Sequence, residues 1–367
     1  MRKYKSIIVM LLVALLLVGC KKKAEKQPDE IREETTEPEV PVEEEPEEEP
    51  VVEENHDGMV ISKLTGEWVP EEVGTRRPYA IMLNNIKYAS PQSGTSEASI
   101  LYEAIVEGGI TRLMGIFEQF SSDRIGSTRS ARHYFVSFAD EYDAIYVHFG
   151  HTKYATAKIK ELGINNLSGL SGIGSTVFYR DNSIKAPHNA FASYEGIKKG
   201  TEKLKYRTEY REDFENHFTF YTEDTDLKSD TIANKVTLNF SNSAKPYLVY
   251  NNDDKLYYRY QFGDKHIDYN TKEQLTFKNI IVQYVKEWNI DKNGYQTMDI
   301  ENSSGSGYYI TNGKAVPITW KKNESTKKMH YYDEDGNILT INPGKTYVAI
   351  FPTDRQRDVV FADKTSE

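Results

Sequence analysis

The 367-residue chain has one cysteine, Cys20. That excludes an intrachain disulfide framework and any zinc-ribbon cysteine set. Also missing are a P-loop, a GxGxxG turn, an HExxH pair and a nucleophile elbow, so no familiar catalytic motif is present. The apolar run Ile7 to Val18 is too short to cross a ~30 Å hydrocarbon core. An excess of positive charge is lacking too. Of the net −10, residues 1–20 contribute +3 and residues 21–57 contribute −11 (16 acids, five bases), which leaves −2 for residues 58–367. A near-neutral head argues against a nucleic-acid partner, which requires a basic face.

What is present begins with an export leader. Arg2, Lys3 and Lys5 precede the apolar run, which ends in Leu17-Val18-Gly19-Cys20. This is a lipobox, and it predicts a lipoprotein signal peptide over 1–19 and a lipidated Cys20. Diacylglycerol plus an N-linked acyl chain such as palmitate holds a protein at a membrane stably, at ~0.8 kcal/mol per buried CH₂. Residues 20–57 form the next segment, rich in Glu and punctuated by Pro28, Pro38, Pro41, Pro46 and Pro50. Such composition cannot repay the entropy of ordering, so a disordered, extended acidic stalk is expected. The expected location is the outer face of a bacterial cytoplasmic membrane, and the Lys, Asn, Ile and Tyr usage suggests a Gram-positive host.

The head reads as an α+β protein in two parts. A mixed α/β domain is expected over 58–228 and a mainly antiparallel β domain over 229–367. In the first part, 78–83, 100–106, 110–117 and 144–149 read as strands, with a hairpin turn at Glu107-Gly108-Gly109. Helical periodicity covers 130–142, 154–162 and 193–205. In the second part short strands follow one another, with a two-residue turn at Asn312-Gly313. Its tyrosines (Tyr257, Tyr258, Tyr260, Tyr308, Tyr309, Tyr331, Tyr332) either tile half-buried strands or form an aromatic platform.

Candidate chemistry gathers at strand ends and loops of the first part. In "GSTRSAR", 126–132, Ser127, Thr128 and Ser130 are N-cap candidates, and Arg129 and Arg132 are placed to project together from the first helical turn. Arginines there oppose the helix dipole, and a bound anion offsets that cost. The competing reading pairs them with Glu103, Glu107 or Asp123. "YRDNSIKAPHN", 179–189, sets Arg180, Asp181, His188 and Asn189 in a proline-fixed loop. His148 ends a strand and His151 follows it. Their spacing with His188 and Asp181 is not that of a standard ligand set, so no metal and no other cofactor is expected. Asn84, Gln92 and Ser93 border the next loop. Glu103 and Glu107 face Arg112 across the hairpin, and an ion pair with Arg112 is the reading preferred over glycosidase chemistry.

The strings "RPYAIMLNN", "PQSGTSEASILYE", "VEGGITRLM", "IGSTRSARHYF", "EYDAIYVHFGH", "FYRD", "APHN" and "NPGKTYVAIFP" resemble the YerB-like bacterial lipoproteins, a family with paired N- and C-terminal domains of unknown function. The resemblance covers about 60–355. It implies a lipid-anchored surface protein and no particular reaction. Its motif residues fall on Asn84, Gln92, Ser93, Glu103, Glu107, Arg112, Arg129, Arg132, His148, Arg180, His188 and Asn189. Where the family pattern has a small residue, this chain has His151.

The combined expectation is a pocket at the carboxyl ends of the sheet that binds an anionic cell-envelope ligand, a wall polymer or a lipid-linked precursor. Its ligand-binding residues would be Arg112, Arg129, Arg132, Arg180, Asn84, Gln92, Ser93 and Asn189. His148, His188 and Asp181 are the candidates for catalysis if the protein is instead a hydrolase or transferase. A third alternative is an adaptor for cell-wall synthesis proteins. Expected contacts are the membrane, through the anchor, and peptidoglycan or an anionic wall polymer.

Overall fold

The computed structural model describes residues 55–323, 326 and 328–363. The expected leader, Cys20 and the stalk up to residue 54 lie outside the described residues. The described residues belong to one compact unit.

The molecule is mostly β, with few helices. Ten strands form its central sheet. In chain order they are β1 (Tyr79–Asn85), β2 (Ile100–Ile105), β3 (Thr111–Phe117), β4 (Ile145–His148), β5 (Asn166–Ser168), β6 (Asn279–Val285), β7 (Ser304–Thr311), β8 (Lys314–Lys322), β9 (Met329–Tyr332) and β10 (Thr346–Pro352). Across the sheet the order is β9-β8-β7-β6-β10-β2-β3-β1-β4-β5. Residues on both sides of position 228 therefore share one sheet. The junction is β10, which runs parallel to β6 on one side and to β2 on the other, with Thr346 opposite Ile100 and Ile350 opposite Ala104. β10 is buried along its whole length, as a near-continuous apolar strand in a sheet interior must be.

The alternation of strand side chains separates two cores. On one face Ile81, Leu83, Leu101, Ile105 and Leu113 pack with Ile173 and Val177, Ile197, and Val236, Leu248 and Tyr257. The last three belong to a six-stranded, wholly antiparallel sheet built from residues of the 229–367 part. On the other face Ala80, Met82, Tyr102, Ala104 and Met114 pack under helices α1 (His133–Asp140) and α2 (Lys153–Leu162). Of the two readings of the tyrosines, the burial fits the tiling of half-buried strands. Tyr257, Tyr309 and Tyr331 are buried, and the intervening rings are half-buried, as the strand alternation of 256–261 requires.

The helix expected from residue 130 starts three residues later. Arg132 is its N-cap and has extended backbone angles. The three hydroxyls expected to cap it are used elsewhere. Ser127 Oγ accepts from Asn84 Nδ2 (3.3 Å), Thr128 Oγ1 donates to the Ala190 carbonyl (3.2 Å), and Ser130 Oγ donates to the Phe149 carbonyl (3.3 Å). Each stitches 127–130 to a neighbouring segment and keeps it extended. By contrast, Thr152 and Ser193 do cap the helices that follow them, accepting from Ala155 N and Gly196 N.

Candidate functional site

β1, β2 and β4 run parallel to one another, and their carboxyl ends lie along one edge. Arg112 sits opposite Asn84 and Ala104 at that edge, on the same face as Met114. Its Nη1 donates to the Ser130 carbonyl at 2.8 Å, and Arg132 Nη1 reaches the same oxygen at 3.3 Å. Two guanidinium groups thus converge on one carbonyl. Arg129 lies beside them; its Nη1 donates to the Pro187 carbonyl (3.1 Å), and its Nε is buried without a partner.

One acid serves this trio. Glu107 takes a forked contact from Arg132, with Nε at 2.8 and 3.0 Å and Nη2 at 2.5 Å. Burial works against the Glu107 charge, but the Arg132 contacts prevail and hold its carboxyl below the usual glutamate value. Among the described residues neither Arg112 nor Arg129 makes an ion pair. Burial first, then Arg132 and Arg129, bring the Arg112 pKa down to about 9. The same two influences, burial and Arg132, lower that of Arg129.

His188 closes the cluster from the 181–189 loop. Asn84 Nδ2 donates to its Nδ1 at 3.0 Å, the Tyr88 ring meets it edge-on, and burial and then Arg129 lower its pKa. An accepting Nδ1 and a lowered pKa describe a neutral ring with Nε2–H free to donate.

The other expected site residues do not join this group. His148 is buried, with Nδ1 2.7 Å from the Gly150 carbonyl and Nε2 3.2 Å from the Asn166 side chain. Both nitrogens are occupied and burial lowers its pKa, so it acts as a strand-end anchor. Gly150 answers for the turn: its φ is +90°, and a Cβ there would lie 2.6 Å from Ser130 Oγ. Arg180 is exposed, lies over the Phe149 ring and donates to Asn189 Oδ1 at 2.6 Å. Asp181 pairs with Arg124 (2.9 Å), whose Nε donates to Ser93. His151 is exposed beyond the strand.

Gln92 and Glu103 belong to a separate buried network. Glu103 is fully buried and pairs with Arg259 (2.5 Å), not with Arg112. Gln92 donates to the Asn84 carbonyl and accepts from His266 Nε2, while His266 Nδ1 meets Arg259. The expected Glu103–Arg112 pair fails because β2 alternates: Glu103 points to the face that carries Arg259, whereas Arg112 points to the other. Arg259 and His266 were not foreseen, and their spacing along the chain gives no signal of it.

The fold is a mostly β head whose sequence halves share a central sheet, and in this chain three arginines gather at one edge of it. Two family models match: the N-terminal domain of DUF3048, a protein of unknown function, over 64–207 and its C-terminal domain over 236–348. The Bacillus subtilis (strain 168) protein YerB, named as a lipoprotein, is 30% identical over 354 residues, 96% of each chain. The chain therefore belongs to the YerB-like family with paired DUF3048 domains. The crystal structure of Bacillus subtilis YerB superposes with a TM-score of 0.73 at 29% identity, covering 83% of this chain and 99% of that one.

Proposed function

We propose that this protein is a lipid-anchored extracytoplasmic lipoprotein whose head binds an anionic cell-envelope ligand at the Arg112–Arg129–Arg132 cluster. The relative named as a lipoprotein supports the anchor at Cys20, and with it the placement on the outer face of the membrane. Among the described residues no helix is long and apolar enough to cross a membrane. The observation that carries the binding reading is the charge count at the sheet edge: three guanidinium groups, two of them on one carbonyl oxygen, and one carboxylate. Desolvated positive charge without a counter-ion is costly, and an anion offsets that cost with charge-assisted hydrogen bonds. The unpartnered Arg129 Nε and the His188 Nε2–H are among the donors left for it. The site proposed here is smaller than the one read from sequence: Arg112, Arg129, Arg132, Asn84 and His188.

Thermal unfolding of the full-length protein with and without pyrophosphate tests this. A ligand at 100 times its Kd adds about 2.7 kcal/mol of stability, a rise of several degrees. Arg129→Gln is expected to abolish the rise, and added salt to shrink it. No rise with pyrophosphate, phosphate or a carboxylate, or a rise that survives Arg129→Gln, overturns the reading.

A further inference from the structure

Away from the arginine cluster lies a cavity of about 410 Å³, within the range of small-molecule sites. Its walls come from the hairpin of Met59–Ile61 and Trp68–Pro70, the Thr95–Glu97 turn, the end of β3, residues 271–277, and Lys345. Three wall atoms stand out. Thr95 Oγ1, Ser96 Oγ and Glu118 Oε1 are buried and have no hydrogen-bond partner. Unpaired buried polar atoms are few in a folded protein, and each is costly, so three in one wall need a reason.

The wall is acidic, with Glu67, Glu97, Glu118 and Glu273 against one lysine, Lys345. Glu97 is already consumed by the Ser121 and Ser122 amides. Glu118 keeps one oxygen on Ser62 Oγ (2.6 Å), and burial raises its pKa in spite of Arg76 and Lys63 nearby. Lys345 Nζ donates to the Ser96 carbonyl (2.6 Å), which uses one of its three N–H groups. The excess of carboxylates disfavours an anion, and their free lone pairs accept from hydroxyl donors. Among the described residues no cluster of acids and histidines is placed to hold a metal ion. A second cavity of about 470 Å³ adjoins the first, sharing Glu97 and Gln119. It carries the Tyr194 and Phe120 rings, 4.9 Å apart and edge to face.

We infer that the two cavities form one trough for a neutral, polyhydroxylated ligand, an oligosaccharide. Sugar hydroxyls donate and accept at once, which suits a wall of carboxylates, hydroxyls, amides and one ammonium. The Tyr194 ring offers an apolar surface with a polar tip, which suits the C–H face of a pyranose. The inference is independent of the anion site.

The test uses full-length protein with chitotetraose and maltotetraose, followed by calorimetry and by saturation-transfer NMR. At least one sugar is expected to bind with a Kd of about 1 mM or tighter. Thr95→Val, nearly isosteric, and Glu118→Gln are each expected to weaken binding by about fivefold or more. Arg129→Gln is expected to leave it unchanged, which separates this site from the arginine cluster. If Glu118→Gln does not fold, Thr95→Val decides. The inference is overturned if neither sugar binds at about 10 mM, if binding survives Thr95→Val, or if spermidine displaces the sugar.

Discussion

Replacing Glu103 by Gln changes one atom in a buried site and is expected to cost much of the protein's stability. Every partner of this carboxylate is a donor. Asn85 Nδ2 (3.0 Å) and Thr111 Oγ1 (2.6 Å) meet Oε1, and Arg259 Nη2 (2.5 Å) and Tyr347 OH (2.6 Å) meet Oε2. An amide supplies one acceptor and one donor, so one pair of contacts becomes donor against donor. Losing two charge-assisted bonds costs about 3–6 kcal/mol at ~1.5–3 each. Arg259, fully buried, is also left without its counter-charge, and breaking a buried pair in this way costs about 3–5 kcal/mol. These two figures describe one loss, so ~3–5 kcal/mol is expected, against a total of ~5–15 kcal/mol for a folded protein. A urea titration followed by tryptophan fluorescence should show the midpoint falling with the slope unchanged. Replacing both partners, Glu103→Leu with Arg259→Met, should recover most of the loss, because no charge is then stranded. A single-variant loss below about 1 kcal/mol, or a double variant no better than the single, would refute the reasoning.

Two further outcomes follow from local geometry. His133 is held at a pKa of about 4 by burial and then Lys158, with Nε2 2.7 Å from Thr297 Oγ1. A depressed histidine pKa means that the unfolded chain binds the extra proton below ~6.5. Stability therefore falls as pH drops from ~6.5 to about 4, by up to ~1.4 kcal/mol per pH unit. Unfolding titrations across that window should show a shallower pH slope for His133→Gln by about this amount, and equal slopes would refute the assignment. Gly150→Ala should destabilise by about 1–3 kcal/mol, since its φ of +90° and the 2.6 Å approach to Ser130 Oγ both oppose a side chain. A melting temperature within a degree of the parent would count against it.

Local signals in the chain translated well into structure. Asn312-Gly313 makes the turn between β7 and β8, both residues at positive φ. The periodic stretches after Thr152 and Ser193 became helices 153–162 and 194–203. What failed to show were contacts between distant residues. Nothing near Thr346 announces that its strand belongs beside Ile100, because pairing register is set by two surfaces meeting and not by either alone. The Glu103 partner was missed because Arg259 lies on a strand of the other sheet, and which faces of two sheets meet is not written in either strand. At the arginine cluster, Arg132–Glu107 pairing was one of the two readings that the composition allowed. The helix start was misplaced because three hydroxyls suited to capping found better acceptors across the fold. Arg180 was gathered with the other arginines by proximity in the loop, yet an aromatic face, Phe149, draws it away.

The position of β10 imposes an order on assembly. Until residues 346–352 emerge, Ile100–Ile105 presents a bare edge, and residues 279–285 have nothing to lie parallel to. The middle of the sheet is thus the last piece that synthesis delivers, and the loop it closes back to the first half is among the longest the chain contains, a slow step by topology alone. A half-made head is therefore an unfinished edge seeking a partner, so the protein gains by remaining unfolded until its last strands are available.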